Sequence, residues 1–153
     1  MTTGFIAPEK LRETLQNILT SVIDLSLLGK QAHWNVVGPN FRSLHLAFDD
    51  VVDIARDASD DFAERMRAIG GVPDGRNQTV ASQSALSQFP EGEVNGSKAV
   101  DLVVNAIEAV VGGMRKVFDD VDEADPTTAD LLNDYISKFE QQAWFLASVN
   151  REA

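Results

Sequence analysis

Helical periodicity interrupted at only a few places constrains this chain more than any other feature. In the first segment, from about Pro8 to Val37, Leu11, Leu15, Ile18, Leu19, Val22 and Leu25 recur at spacings of three and four. That is the pattern of an amphipathic helix, and Pro8 suits its first turn. Ile23, Leu27 and Leu28 widen the apolar stripe beyond one face. A helix this broadly apolar packs against more than one neighbour.

The breaks divide the rest. "GPN" at 38–40 ends the first helix, with Gly38 as a C-terminal cap and Pro39 disfavouring continuation. A second helix runs from about Phe41 to Ile69 and stops at "GG" and Pro73. Residues 70–97 are rich in Gly, Ser, Gln and Asn and read as a long connection, with "TVASQSALSQF" as a short helix inside it. A third helix covers about Ser97 to Glu123 and carries Gly112–Gly113, at a cost of ~1 kcal/mol each relative to alanine. Close packing on a neighbour is the expected reason. "DP" at 125–126 restarts the chain, Asp125 as N-cap and Pro126 as first helical residue of a fourth helix ending near Asn150. No strand signal and no internal repeat appear. Two helical hairpins joined by one long connection make an all-α four-helix bundle with a crossover, a single domain over residues 1–153 with a short tail at 1–7.

Composition narrows the function classes. The chain has 153 residues and no cysteine, so disulfides and thiolate metal sites are excluded and a reducing, cytoplasmic setting is expected. No stretch approaches the ~20 apolar residues of a membrane span, and the first residues do not read as a signal peptide. A net charge of −11 repels nucleic acid over most of the surface.

The polar residues of the second helix are not scattered. At ~100° per residue, Phe41, Leu44, Phe48, Val52, Ala55, Ser59, Phe62 and Met66 form the bundle-facing stripe. His45, Asp49, Asp60 and Glu64 gather on another face, roughly 120° away. A solvated face is the ordinary explanation for such carboxylates. The chain's only two histidines argue otherwise. His33 and His45 are equidistant from Pro39, so an antiparallel hairpin places them side by side. Imidazole with carboxylate is a donor set for iron, manganese or zinc.

Asp49 and Asp60 are eleven residues apart, about 16 Å along a helix axis at ~1.5 Å per residue. Metal–ligand bonds are only ~2 Å long, so both groups cannot serve one ion within one chain. A twofold axis near Ile54 and Ala55 would bring His45 and Asp49 of one subunit against Asp60 and Glu64 of another.

With these residues in hand, "KQAHWNVVGPNFRSLHLAFDD" followed by "DASDDFAERMRAIGGVP" resembles the Dps family, the ferritin-like mini-ferritins, with similarity in outline over all four helices. The resemblance implies a ferritin-like fold and a hollow homododecamer. It implies ferroxidase sites at twofold interfaces, with His33, His45 and Asp49 from one chain and Asp60 and Glu64 from its partner. It further implies iron as the metal, hydrogen peroxide or oxygen as oxidant, and stored Fe(III) mineral. Asp49 and Glu64 are expected to hold iron most tightly, the imidazoles more weakly. Trp34 resembles the family's tryptophan that absorbs a stray oxidising equivalent; an aromatic packed in the subunit interface is the competing reading. Asp53 and Arg56 lie on the same stripe, with supporting or interface roles.

The run "DDVDEADPTTAD" at 119–130 lacks the alternation and the glycine of an EF-hand. A solvated helix end is one reading. In the family, acids near this turn line pores that admit Fe(II), which makes Asp130, Asp125 and Asp122 candidates. The first twelve residues carry only Lys10 and Arg12 as bases, and Arg151 sits beside Glu152. This departs from the lysine-rich tails of DNA-binding members, and no DNA binding is expected at physiological salt. The alternatives to an iron-oxidising storage enzyme are a nucleoid protein with secondary iron chemistry and an ion-free structural assembly. Unpaired imidazoles and carboxylates packed at a twofold disfavour the last.

Overall fold

The computed structural model describes residues 4–152; the first three residues of the expected N-terminal tail lie outside them. The elements are α1 Glu9–Asn35, β1 Val36–Val37, α2 Phe41–Ala68, α3 Asn77–Gln83, β2 Val94–Asn95, α4 Gly96–Ala124 and α5 Pro126–Val149. α1 packs on α2 and α4, and α5 packs on α4 and α2. The long helices therefore close a four-helix bundle.

The first helix stops two residues short of the expected Val37. Val36 turns extended at ψ 137°, and the two valines pair in parallel with Val94 and Asn95. β-Branched side chains favour this geometry, and the sequence reading contained no strand. Gly38 takes φ 112°, a left-handed conformation that glycine adopts freely, and so belongs to the turn rather than to the helix cap. The bridge places the start of α4 where α1 ends. α4 thus runs antiparallel to α1, and the 69–93 connection crosses the length of the bundle. The short helix inside that connection begins at Asn77, earlier than "TVASQSALSQF". Asp74 accepts from Arg76 and Thr79 just before it, and Ser84 ends it in an extended conformation.

Residues of the α2 stripe fill the core, where Phe48, Val52, Ala55 and Phe62 are fully buried. Phe41 departs from the expectation. It is exposed at the helix start, its ring 5.2 Å from that of His45. Ser59 is half-buried and donates to the Ala55 carbonyl. Tyr135 is buried between Phe62 and Phe139, and its hydroxyl donates to Asp61. Burial, reinforced by that carboxylate, pushes its phenol up in pKa.

Within this chain nothing packs closely on Gly112–Gly113: a Cβ at either position meets nothing within 4 Å. The tight approaches lie elsewhere. A Cβ on Gly29 would stand 2.7 Å from Val52 Cγ2, and one on Gly96 equally close to Leu44 Cδ1. Gly29 therefore sets the spacing of α1 against α2.

Candidate metal centre

His33 lies in the last turn of α1 and His45 in the second turn of α2, and the short hairpin brings them together. Their rings stack at 3.6 Å between centroids and 18° between planes. Each ring is fixed by the other residue's backbone: His33 Nδ1 lies 2.5 Å from the His45 carbonyl oxygen, and His45 Nδ1 lies 2.7 Å from that of His33. A carbonyl only accepts, so Nδ1 carries the proton in both rings. In the neutral imidazole, Nε2 then keeps its lone pair, the arrangement that orients a metal-ligating histidine.

Asp49 is one turn after His45. Its Oδ1 is 3.4 Å from His33 Nδ1 and 2.5 Å from Lys30 Nζ. The hydrogen bond from Lys30 holds the Asp49 carboxyl below the usual carboxylate range, against partial burial that acts the other way. Lys30 was absent from the sequence reading. The antiparallel pairing that matched 33 with 45 sets 30 opposite 48, one residue from Asp49, so the signal was close at hand in the hairpin register.

Asp60 and Glu64 are exposed further along α2. Asp60 borders an open concavity lined also by Leu19, Ile23, Arg56 and Ala63. Neither meets the histidine pair, and among the described residues no group of three or more His, Asp or Glu side chains is placed to hold a metal ion. What a single chain presents is two separate donor sets: His33 of α1 with His45 and Asp49 of α2, and Asp60 with Glu64 further along α2. Asp53 and Arg56 are exposed between them.

Large apolar side chains are exposed on the same two helices. Trp34 is 67% exposed, Leu27 58% and Leu46 50%. Ile23, Leu27 and Trp34 follow one another along α1 at spacings of four and seven, beside Lys30. The broad stripe expected to touch more than one neighbour does so within this chain, on α2 and α4, yet Leu27 and Trp34 stay exposed.

The acidic turn splits. Asp122 and Asp130 are exposed, whereas Asp125 is 7% exposed. Its Oδ2 is 2.5 Å from Arg65 Nη2 and 2.5 Å from Thr128 Oγ1. Burial opposes its charge, but Arg65 and Thr128 more than offset that and keep the carboxyl below its usual range. Asp125 is thus a structural tie between α2 and the α4–α5 turn, not an open pore acid. It opens α5 as expected, without a side-chain capping bond.

Residues 12–152 match the ferritin-like domain family. Among curated proteins, the DNA protection during starvation protein of Agrobacterium fabrum is 37% identical over 133 residues, covering 86% of this chain and 82% of that one. Among solved structures, Dps92 from Deinococcus radiodurans superposes with a TM-score of 0.91 at 32% identity, covering 95% of this chain and 88% of that one. Dps from Microbacterium arborescens in its high iron form gives 0.86 at 31% identity, covering 97% and 100%.

Proposed function

We propose a function on one premise: this chain belongs to the ferritin-like family, among its DNA protection during starvation (Dps) proteins. On that footing it is a ferroxidase. It takes Fe(II) as substrate at sites shared between two copies, oxidises it with hydrogen peroxide or oxygen, and stores Fe(III) inside a homododecamer in the cytoplasm. One observation carries this reading. The two histidines orient each other through Nδ1, which leaves a lone pair on each Nε2, and Asp49 lies 3.4 Å from the His33 ring.

The residues divide the work. His33, His45 and Asp49 of one copy, with Asp60 and Glu64 of a second copy, would complete a set of hard and borderline donors suited to iron. The carboxylates stabilise the rising charge as Fe(II) becomes Fe(III). Two ferrous ions supply one electron each, and peroxide with two protons leaves as two waters, so no hydroxyl radical is released. Leu27, Trp34 and Leu46 would be covered by the second copy, excluding bulk water. Trp34, next to His33 in sequence, would intercept a stray oxidising equivalent or pack in the subunit interface. Asp122 and Asp130 remain the candidates for an iron entry path.

Anaerobic Fe(II) titration followed by peroxide tests the reading. About two irons oxidised per site are expected. Undiminished peroxide-driven oxidation in a His33→Ala, His45→Ala, Asp49→Ala variant would sink it.

The relatives' name raises a second reading, direct binding to DNA. The net charge of −11 opposes it, and Lys10 near the N-terminus is already paired with Asp120 at 2.6 Å. Protection through iron and peroxide consumption needs no DNA contact. A gel shift at physiological salt should show no complex.

A further inference from the structure

Tyr135 is the chain's one tyrosine, and the proposed reaction leaves it without a role. It is 2% exposed. Its ring lies 5.5 Å from that of Phe62 and 6.3 Å from that of Phe139. Its hydroxyl donates to Asp61, which is exposed, so the buried phenol reaches solvent through a carboxylate. Asp60 and Glu64 stand two residues to either side of Phe62 on α2. Tyr135 is thus the phenol behind the carboxylate half of the site.

Its surroundings suit the loss of an electron. Taking an electron from a neutral phenol makes the O–H strongly acidic, so the electron leaves readily when a proton acceptor is already hydrogen-bonded. Asp61 is that acceptor. The carboxylates of Asp57, Asp61 and Asp134 lie close enough to act on the phenol. The Lys138 ammonium, 5.0 Å from the ring centroid, opposes them but is outnumbered. Net negative surroundings lower the cost of drawing an electron away. Burial and the same carboxylates keep the phenol protonated at neutral pH, so electron and proton leave together.

We propose that Tyr135 is an electron reserve for the site, giving one electron to a half-reduced peroxide and its proton to Asp61. The proposal rests on the shared-site reading above. It matters when a site holds a single ferrous ion. That ion gives peroxide one electron, which leaves Fe(III), hydroxide and an oxidising equivalent of hydroxyl-radical strength. Tyr135 supplies the second electron. Its O–H bond breaks, the proton passes to Asp61, and the oxidising equivalent leaves as a second hydroxide. A later Fe(II) returns the electron to the phenoxyl radical while Asp61 returns the proton. The balance is again two Fe(II) for one peroxide. Burial shields the phenoxyl radical from coupling with another chain, so it can wait for that second ion. Trp34, 67% exposed on α1, has no such shield.

The bland alternative is a hydrogen bond that merely ties α5 to α2. The two readings differ in what a freeze-quenched reaction contains. The assembled protein is mixed with one ferrous ion and one peroxide per site, frozen, and read by electron paramagnetic resonance. A spin trap follows escaped hydroxyl radical in parallel. Wild type should give an organic radical whose hyperfine pattern collapses when the protein is grown on ring-deuterated tyrosine. With one tyrosine in the chain, that change identifies Tyr135. Two ferrous ions per site should abolish the signal. Tyr135→Phe should lose it and pass more hydroxyl radical to the trap. Asp61→Asn keeps an acceptor oxygen but cannot take the proton at neutral pH, and should lose the signal while melting near wild type. A wild-type reaction that oxidises iron but yields no radical sensitive to tyrosine deuteration makes Tyr135 a tie alone, and the proposal falls. That comparison needs no variant to fold. A full radical yield in Asp61→Asn overturns the coupled proton step. If peroxide oxidises no Fe(II) in wild type, the shared-site reading itself fails, and the role of Tyr135 with it.

Discussion

The two helical hairpins are built alike inward and differently outward. Both α1–α2 and α4–α5 bury an apolar stripe in one core. On the outer side of α4–α5, charges satisfy one another: Arg115 reaches Glu140 at 2.6 Å, and Lys138 reaches Asp134 at 2.7 Å one turn earlier. On α1–α2, neither imidazole Nε2 has a hydrogen-bond partner and Asp60 and Glu64 make no ion pair among the described residues, and Leu27, Trp34 and Leu46 are exposed. The fold alone does not distinguish the hairpins. The proposed chemistry is assigned to the one whose imidazoles are oriented but not consumed within the chain.

The largest effect that would break this contrast is chemical. Replacing His33, His45 and Asp49 together by alanine should reduce peroxide-driven Fe(II) oxidation to background, while a triple change at Arg115, Glu140 and Lys138 should leave the rate near wild type. Stopped-flow absorbance checks both.

Arg65→Ala comes next. It strands the buried Asp125 carboxylate and should cost about 3 kcal/mol in denaturant unfolding. pH sharpens this. A carboxyl held low in the folded state stabilises above its ordinary pKa, and that stability is lost as pH falls through the folded pKa. Wild type should therefore lose stability below about pH 4, and Arg65→Ala should lose much of that acid dependence.

Glycines separate the hairpins from the other direction. Gly29→Ala drives a methyl into Val52 at the α1–α2 contact and should cost about 1–3 kcal/mol. Gly112→Ala meets open space in α4 and should gain up to about 1 kcal/mol. Thermal melts of both variants test the pair. Smallest of all, Glu140→Gln removes an exposed ion pair and should shift stability by less than about 1 kcal/mol.

Several of these features were legible in the sequence for reasons that can be named. Pro126 marks the start of α5 because its missing N–H suits only the first turn. The pairing of His33 with His45 follows from a tight turn between two helices. Gly112–Gly113 told less, because a glycine's purpose depends on what stands opposite it. The two-residue bridge was invisible, since two valines beside a helix end carry no strand period. Asp125 read as one acid among many, because nothing along the chain shows Arg65 sixty residues away reaching it.

Sequence by itself determined the bundle, the juxtaposition of the histidines and the separation of the two donor sets along α2. These depend on helical rise, turn length and the 3.6-residue period, which are local and nearly invariant. Only the tertiary structure decided that each imidazole is locked by the other's carbonyl, that Lys30 occupies Asp49, and that Asp125 is withdrawn into a buried ion pair. Those outcomes depend on side-chain rotamers and on how closely one helix approaches another, set here by Gly29 against Val52. No periodicity along a single chain carries that information.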